Sequence, residues 1–430
     1  MQTDFSPEQL KEADIALADS ILRKCVHCGF CTATCPTFTL LGDEADSPRG
    51  RIYLIKEFLE RGGAPSTNLV THLDRCLTCL SCMTTCPSGV DYQRLVDMAR
   101  HRMEEAHGRS AIDQLARNLL VRVLPNPKRF RAALTAAAIF RPLAGMLPGP
   151  LRGMVEMAPR RLPKPSKNDG PAIYPAYGQK KMRVALLTGC AQKVIRPSIN
   201  DATIRLLSRL GAEVVVAKGS GCCGALAHHL GREGEAKAAA RANMKAWQGV
   251  MDDGGLDAVV SNASGCGFVV KEYGFLLRGE TDAEDGETIG ALGRDVSEVI
   301  QQLGLPRAEA ENLPAVTYHS ACSMQHGLGL KNLPAELLSG VGYEVRRPGE
   351  EHLCCGSAGT YSVLQPELSD RLKDRKLENL SKCGGSVIAT GNIGCLEHMS
   401  NDASVPVVHT VELLDWATGG PVPPGMDAKV

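Results

Sequence analysis

The sequence predicts a two-part fold, an all-helical N-terminal domain followed by two tandem α/β units (class α + α/β). Three observations carry it. Residues 1–110 read as helices around two clusters of cysteines. Residues 181–430 run twice through one strand–cysteine–helix pattern, which divides them into units at 181–310 and 311–430. Between the two parts, residues 111–180 are proline-rich and basic and read as an irregular linker.

The N-terminal elements follow from local signals. Ser6 as N-cap with Pro7 at the first helical position marks a helix start. Ile15, Leu17, Ile21 and Leu22 then form an apolar stripe that leads to Cys25. Ser47-Pro48 opens a second helix that runs through Leu59 and closes at Gly62-Gly63. A third runs from about residue 91 to residue 106.

The cysteines lie in the loops between these helices. Cys25, Cys28, Cys31 and Cys35, followed by Pro36, read C-x2-C-x2-C-x3-C-P. Cys76, Cys79, Cys82 and Cys86, followed by Pro87, read the same. This is the bacterial ferredoxin spacing for two [4Fe–4S] clusters, in which the fourth cysteine of each run ligates the other cluster. The expected sets are therefore Cys25, Cys28, Cys31 and Cys86 for one cluster, and Cys76, Cys79, Cys82 and Cys35 for the second. Crossed ligation places the clusters close together, which suits electron transfer. Disulfides would need an oxidising compartment, and the polar, acidic first residues do not read as a secretory signal. Zinc knuckles share C-x2-C pairs but not the third and fourth cysteines before proline. About forty residues separate the two runs, which favours a helical ferredoxin domain over the compact two-hairpin kind.

Composition limits the alternatives. Lys plus Arg and Asp plus Glu both total 48 in 430 residues, so nothing points to wholesale nucleic-acid binding. Seventeen cysteines argue for metal ligation, and no stretch approaches the ~20 apolar residues of a membrane span. Charge is nevertheless uneven. Residues 122–167 hold ten basic residues (Arg122, Lys128, Arg129, Arg131, Arg141, Arg152, Arg160, Arg161, Lys164, Lys167) against Glu156 alone. Phe130, Ile139, Phe140, Leu143, Met146, Leu147, Leu151 and Met154 are interleaved with them. A basic, apolar surface of this kind suits an anionic membrane or a partner subunit. The expected location is cytoplasmic, peripheral on the inner membrane.

In the C-terminal part, a strand-like run leads into Cys190, then Cys222-Cys223-Gly224 and Cys266 follow. The second copy reads Cys322, Cys354-Cys355-Gly356 and Cys395, with the same 31 residues between its first two landmarks. Alternating strands and helices imply parallel units, whose ligands gather at the carboxyl ends of the strands. Each copy is therefore expected to bring its four cysteines to one point, for a further cluster or a zinc ion. Gly219, Gly221 and Gly224 also fit G-x-G-x-x-G. The second copy keeps the cysteines and not the first two glycines, so metal ligation is what the copies share.

The repeated pattern resembles the cysteine-rich CCG domain of heterodisulfide reductases and of iron–sulfur subunits of flavin-dependent hydroxyacid dehydrogenases. Two ferredoxin motifs followed by two CCG repeats, with Asp46-Ser-Pro-Arg-Gly-Arg-Ile-Tyr-Leu-Ile-Lys56 between the motifs, resemble the glycolate oxidase iron–sulfur subunits over nearly the whole chain. The resemblance implies an electron-transfer subunit without catalytic residues or flavin of its own. It would take electrons from FAD-containing partner subunits that oxidise glycolate to glyoxylate, or D-lactate to pyruvate, and deliver them to a membrane acceptor such as quinone. The alternatives are the iron–sulfur subunit of an anaerobic glycerol-3-phosphate dehydrogenase and a heterodisulfide-reductase-like thiol enzyme. The fuller CCG pattern ends each repeat in C-x2-C; Ala263 and Asn392 stand at the first of those positions here. His319 and His352 are candidates for donors to cluster sulfur or proton carriers, and His228 and His229 for site histidines, with an ordinary structural role favoured for each. Arg49 and Arg51 are expected either to pair with carboxylates near the clusters or to lie on a solvated helix, and Cys383 to be structural.

Overall fold

The computed structural model describes residues 1–147, 149–156, 158–159, 162–310 and 312–426. The N-terminal helices form where the caps direct them. Ser47 Oγ accepts from Gly50 N and starts Pro48–Arg61, and Asp91 caps Tyr92–Ala106. Between them lies Thr67–Asp74, capped by Ser66. Together with Ala13–Lys24 they bury Ile15, Leu22, Ile55, Leu69, Leu73 and Leu95 in one core. The start at Ser6 differs from expectation. Ser6-Pro7 opens only one 3-10 turn, Gln9–Lys11, before the α-helix begins at Ala13.

The segment read as an irregular linker is largely helical, with Ala111–Val123, Pro127–Phe140 and Gly149–Glu156. Its prolines start helices as well as break them. Pro127 occupies the first turn, where it forfeits no hydrogen bond, and Asn126 Oδ1 accepts from Lys128 N and Arg129 N. Arg160 and Arg161 lie outside the described residues, as do the side chains of Leu143, Leu151 and Glu156. Among the described residues no helix is long and apolar enough to cross a membrane.

The C-terminal part holds two sheets. The first orders β1 (Ala172–Tyr174), β3 (Ala212–Val216), β2 (Met182–Leu187), β4 (Ala258–Ser261) and β5 (Gly293–Asp295). All its pairings are parallel except β1 with β3, an antiparallel edge contributed by the connecting segment. The second orders β7 (Val345–Arg346), β6 (Val316–His319), β8 (Val387–Thr390) and β9 (Val407–His409), all parallel. Strands buried along their whole length, on both faces, are what parallel sheets demand. Side chains of both sheets share one core, and Ser198–Leu210 of the first repeat packs on Thr410–Ala417 of the second. There Arg205 and Arg209 both donate to the buried Asp415 carboxylate.

Candidate metal centres

The two ferredoxin-type loops adopt the same backbone. His27 and Gly29 have φ of 53° and 87°, and Thr78 and Leu80, at the equivalent positions, have 50° and 62°. Left-handed φ at a non-glycine residue costs roughly 1 kcal/mol or more. Three such residues persist here in a conformation that turns successive cysteines toward one point. Gly50, next to Arg51, is required by close packing, since a Cβ there would lie 2.0 Å from Glu44 O.

The cysteines of the two runs lie beside one another. Cys25, Cys28, Cys31 and Cys86 line one cavity, walled also by Cys82, Ile52, Val90 and Tyr92. Cys35 lies instead with the second run, close enough to Cys79 and Cys82 that their thiolate charges repel. The two sets adjoin, because Cys31 is within electrostatic reach of Cys35 and of Cys82. Burial pushes the Cys31 thiol up to about 11 and raises those of Cys79 and Cys82 as well. Desolvated sulfurs of this kind are stabilised as thiolates by positive charge, which is what iron supplies, so the donor set fits the group.

The second set is surrounded by buried donors. Arg51, 2% exposed, donates through Nε to His72 O (2.7 Å) and through its terminal nitrogens to Thr37 Oγ1 (3.0 Å), Asp46 Oδ1 (3.1 Å) and Cys35 Sγ (3.8 Å). Asp46 is also paired with Arg75 (2.9 Å), so the buried charges form a satisfied network. Arg100 donates to Cys76 O (2.6 Å), and Tyr92 Oη lies 3.6 Å from Cys76 Sγ. Burial opposes the Cys76 thiolate, but Arg51 and Arg100 outweigh it and hold this thiol below its ordinary value. Arg51 is thus part of the site's electrostatics, and Arg49, paired with Glu44 on a more open surface, lines the cavity of Cys28 and Cys31. By contrast, Cys28 is exposed, with Val26 and Phe30 exposed beside it.

Each C-terminal repeat brings its four cysteines together beyond the ends of its strands. In the first, Cys190, Cys222, Cys223 and Cys266 form a chain of thiol contacts. Hydrogen bonds from Cys190, Cys223 and the Gly224 N–H pull the Cys222 thiol below its ordinary value. In the second, Cys322 Sγ is 3.9 Å from Cys354 Sγ, and the contacts continue through Cys355 to Cys395. Gly224 and Gly356, both with φ of 92°, let a helix press onto the cysteine turn; a Cβ would lie 3.0 Å from Ala236 O and 2.4 Å from Ser369 O.

The second repeat also touches the N-terminal domain. Cys354, Cys79, Leu77, Tyr361 and Leu372 share a small buried cluster with Cys322 at its edge, and Thr84 Oγ1 is 2.8 Å from His326 Nδ1. His228 pairs with Asp97 at 3.1 Å across the domain boundary, and burial pulls His229 down to about 4. His319 is buried, and burial followed by the nearby Lys376 brings it down to about 3, so its imidazole is neutral. His352 is partly buried. Cys383 Sγ, just past the helix Pro366–Ser381, donates to Asn379 O (3.6 Å). Lys376 itself, fully buried among the second-repeat cysteines, escaped the sequence reading. The signal was present, since it falls in the four-residue stripe Leu368, Leu372, Lys376, Leu380.

Comparison with known proteins matches both parts of the chain. A 4Fe-4S dicluster domain model matches residues 21–90, and a cysteine-rich domain (CCG) model matches residues 184–271 and 316–400. The glycolate oxidase iron-sulfur subunit of Escherichia coli K12 is 40% identical over 418 residues, 97% of this chain and 99% of the relative. The chain belongs to the family of glycolate oxidase iron–sulfur subunits. A probable member from Bacillus subtilis 168 is 30% identical over 97% of this chain and 99% of its own length. Lactate utilization protein A of Geobacillus thermodenitrificans is 28% identical over 54% of this chain and 99% of its own length. The family match thus spans both the dicluster region and the two cysteine-rich repeats, the parts whose thiols the fold brings together.

Proposed function

We propose that this chain is the electron-transfer subunit of a flavin-linked glycolate dehydrogenase complex. On this reading partner subunits holding FAD oxidise glycolate to glyoxylate, and also D-lactate to pyruvate. Each oxidation releases two electrons, which this chain passes one at a time to a membrane acceptor such as quinone. The observation that carries the reading is the adjacency of thiol groups. The thiols of the two N-terminal runs adjoin one another, and Cys79 adjoins Cys322 and Cys354. The chemistry the groups supply when bound is one-electron transfer at iron.

The chain's own residues insulate and tune this path. Leu77, Tyr361 and Leu372 exclude water between Cys79 and the second repeat, and Arg51 and Arg100 place buried positive charge where an added electron would sit. The Cys28 loop, exposed with Val26 and Phe30, is the approach for a redox partner. The basic middle segment, with Ile139, Phe140 and Met146 exposed, is the surface that meets the membrane. The test is anaerobic co-purification with FAD-containing partners, followed by glycolate-dependent reduction of the iron–sulfur centres. Reduction of the centres by glycolate within the complex supports the reading; a complex whose flavin is reduced while the centres stay oxidised refutes it.

A further inference from the structure

The two cysteine-rich repeats are alike in fold but not in donors. His319 is the last residue of β6, three residues before Cys322. It is 2% exposed, and its Nε2 has no hydrogen-bond partner. A buried, unpaired imidazole nitrogen is costly unless something else satisfies it. A ring nitrogen of His319 and the sulfurs of Cys355 and Cys395 all lie within 4.8 Å of one another. Cys354 contacts Cys355 and lies 3.9 Å from Cys322, so the other two sulfurs of the repeat continue from this group as one chain of contacts. In the first repeat the position three residues before Cys190 is Leu187, which offers no donor.

A second difference supports the first. Ala236 and Ser369 occupy equivalent places against Gly224 and Gly356. Seven residues on, the first repeat has Asn243 and the second has Lys376. Asn243 is neutral and donates to Cys222 O and Tyr273 Oη. Lys376 is a buried cation that donates to Glu350 O, with the four second-repeat sulfurs around it. A buried ammonium needs compensating negative charge, and a thiolate-ligated centre supplies it.

We propose that His319 is a direct nitrogen ligand, through Nε2, of an iron–sulfur centre held by Cys322, Cys354, Cys355 and Cys395. The first repeat is then an all-thiolate site and the second a mixed nitrogen–thiolate site. His319 adds a neutral donor to the same number of thiolates, and the buried Lys376 beside the four sulfurs stabilises the more negative, reduced form and so raises the centre's potential. The second repeat, beside Cys79, is thereby the more oxidising of the two and the place where electrons from the dicluster domain collect. This deepens the electron-transfer reading and rests on it.

The test uses the full chain purified anaerobically, with ¹⁵N-histidine labelling and pulsed EPR. Iron, sulfide and zinc are counted per chain in wild type, His319→Ala and His319→Cys. Wild type is expected to hold iron beyond the roughly eight atoms of two [4Fe–4S] clusters, and to show a strongly coupled nitrogen that changes isotope with the label. His319→Ala should lose the coupling together with the additional second-repeat iron. His319→Cys, which keeps a donor, should retain the iron without the coupling, which separates ligation from misfolding. Absence of the coupling in wild type, its survival in His319→Ala, zinc in place of the extra iron, or a total of about eight irons would each overturn the proposal. A chain without the two dicluster-type signals would instead refute the electron-transfer reading itself, so the two failures are distinguishable.

Discussion

Replacing Arg51 by methionine removes a buried positive charge 3.8 Å from Cys35 Sγ while keeping most of the side-chain volume. At an effective dielectric of about 20, a unit charge at that distance is worth about 4 kcal/mol. An electron added to a cluster is spread over several atoms, most of them farther away, so about half of this, ~2 kcal/mol, acts on reduction. That corresponds to about 90 mV for one electron. The sign is fixed, because the cation stabilises the more negative, reduced form; its loss lowers the potential. The assay is an EPR-monitored redox titration of the anaerobic chain. Arg51→Met also leaves Asp46 with Arg75 and His72 as its remaining partners, which lowers stability. Arg51→Lys therefore serves as the control that retains charge and should shift the potential much less. A shift to higher potential, or equal potentials in all three proteins, would refute this account of the site.

Three further outcomes follow from the same physics. His228 sits in a mostly buried pair with Asp97, so His228→Gln should cost about 3 kcal/mol and speed amide exchange in Ala225–His229 and the facing Tyr92–Ala106. Burial opposes the His228 charge but Asp97 outweighs it, raising its pKa above the unfolded 6.5; the pair's contribution is full below that value and is lost as pH rises through the folded one. His409 behaves oppositely. Burial brings it down to about 4, so the unfolded chain takes up the proton first, and stability present above pH 6.5 falls as pH approaches 4. Between pH 7 and 5 the loss is about 2 kcal/mol, and urea midpoints should show it shrinking by that amount in His409→Gln. Finally, changing Ile139, Phe140 and Met146 together to serine should weaken flotation with anionic vesicles at least tenfold, since each buried apolar side chain is worth about 1.5 kcal/mol or more; unchanged flotation would leave the segment to a protein partner.

Much of the fold was legible because its signals are local. Ser47-Pro48 starts the helix its cap predicts, and the strand-like run before Cys190 becomes β2. The cysteine runs carry their own register, and Cys86 lines the cavity of Cys25, Cys28 and Cys31, as does Cys82. The middle segment was misread because a proline's effect depends on its place in a turn; Pro127 after the cap Asn126 begins a helix. The strand β1 is three residues long, too short for any periodicity to register. Arg51 and Lys376 could be placed on helix faces from sequence, but their burial depends on what packs against them from distant parts of the chain. The lone nitrogen of His319 is a fact of tertiary packing alone.

The crossed arrangement is tested most directly by two single substitutions read in one spectrum, Cys86→Ser and Cys35→Ser. The cluster whose potential responds to Arg51 is the marker for the Cys35–Cys76–Cys79–Cys82 set. Cys35→Ser should deplete that marked cluster and spare the other, and Cys86→Ser, although it lies in the second run, should spare the marked cluster and deplete its neighbour. Loss of the marked cluster on Cys86→Ser, with the unmarked one intact, would mean that each run holds its own cluster and would contradict the account.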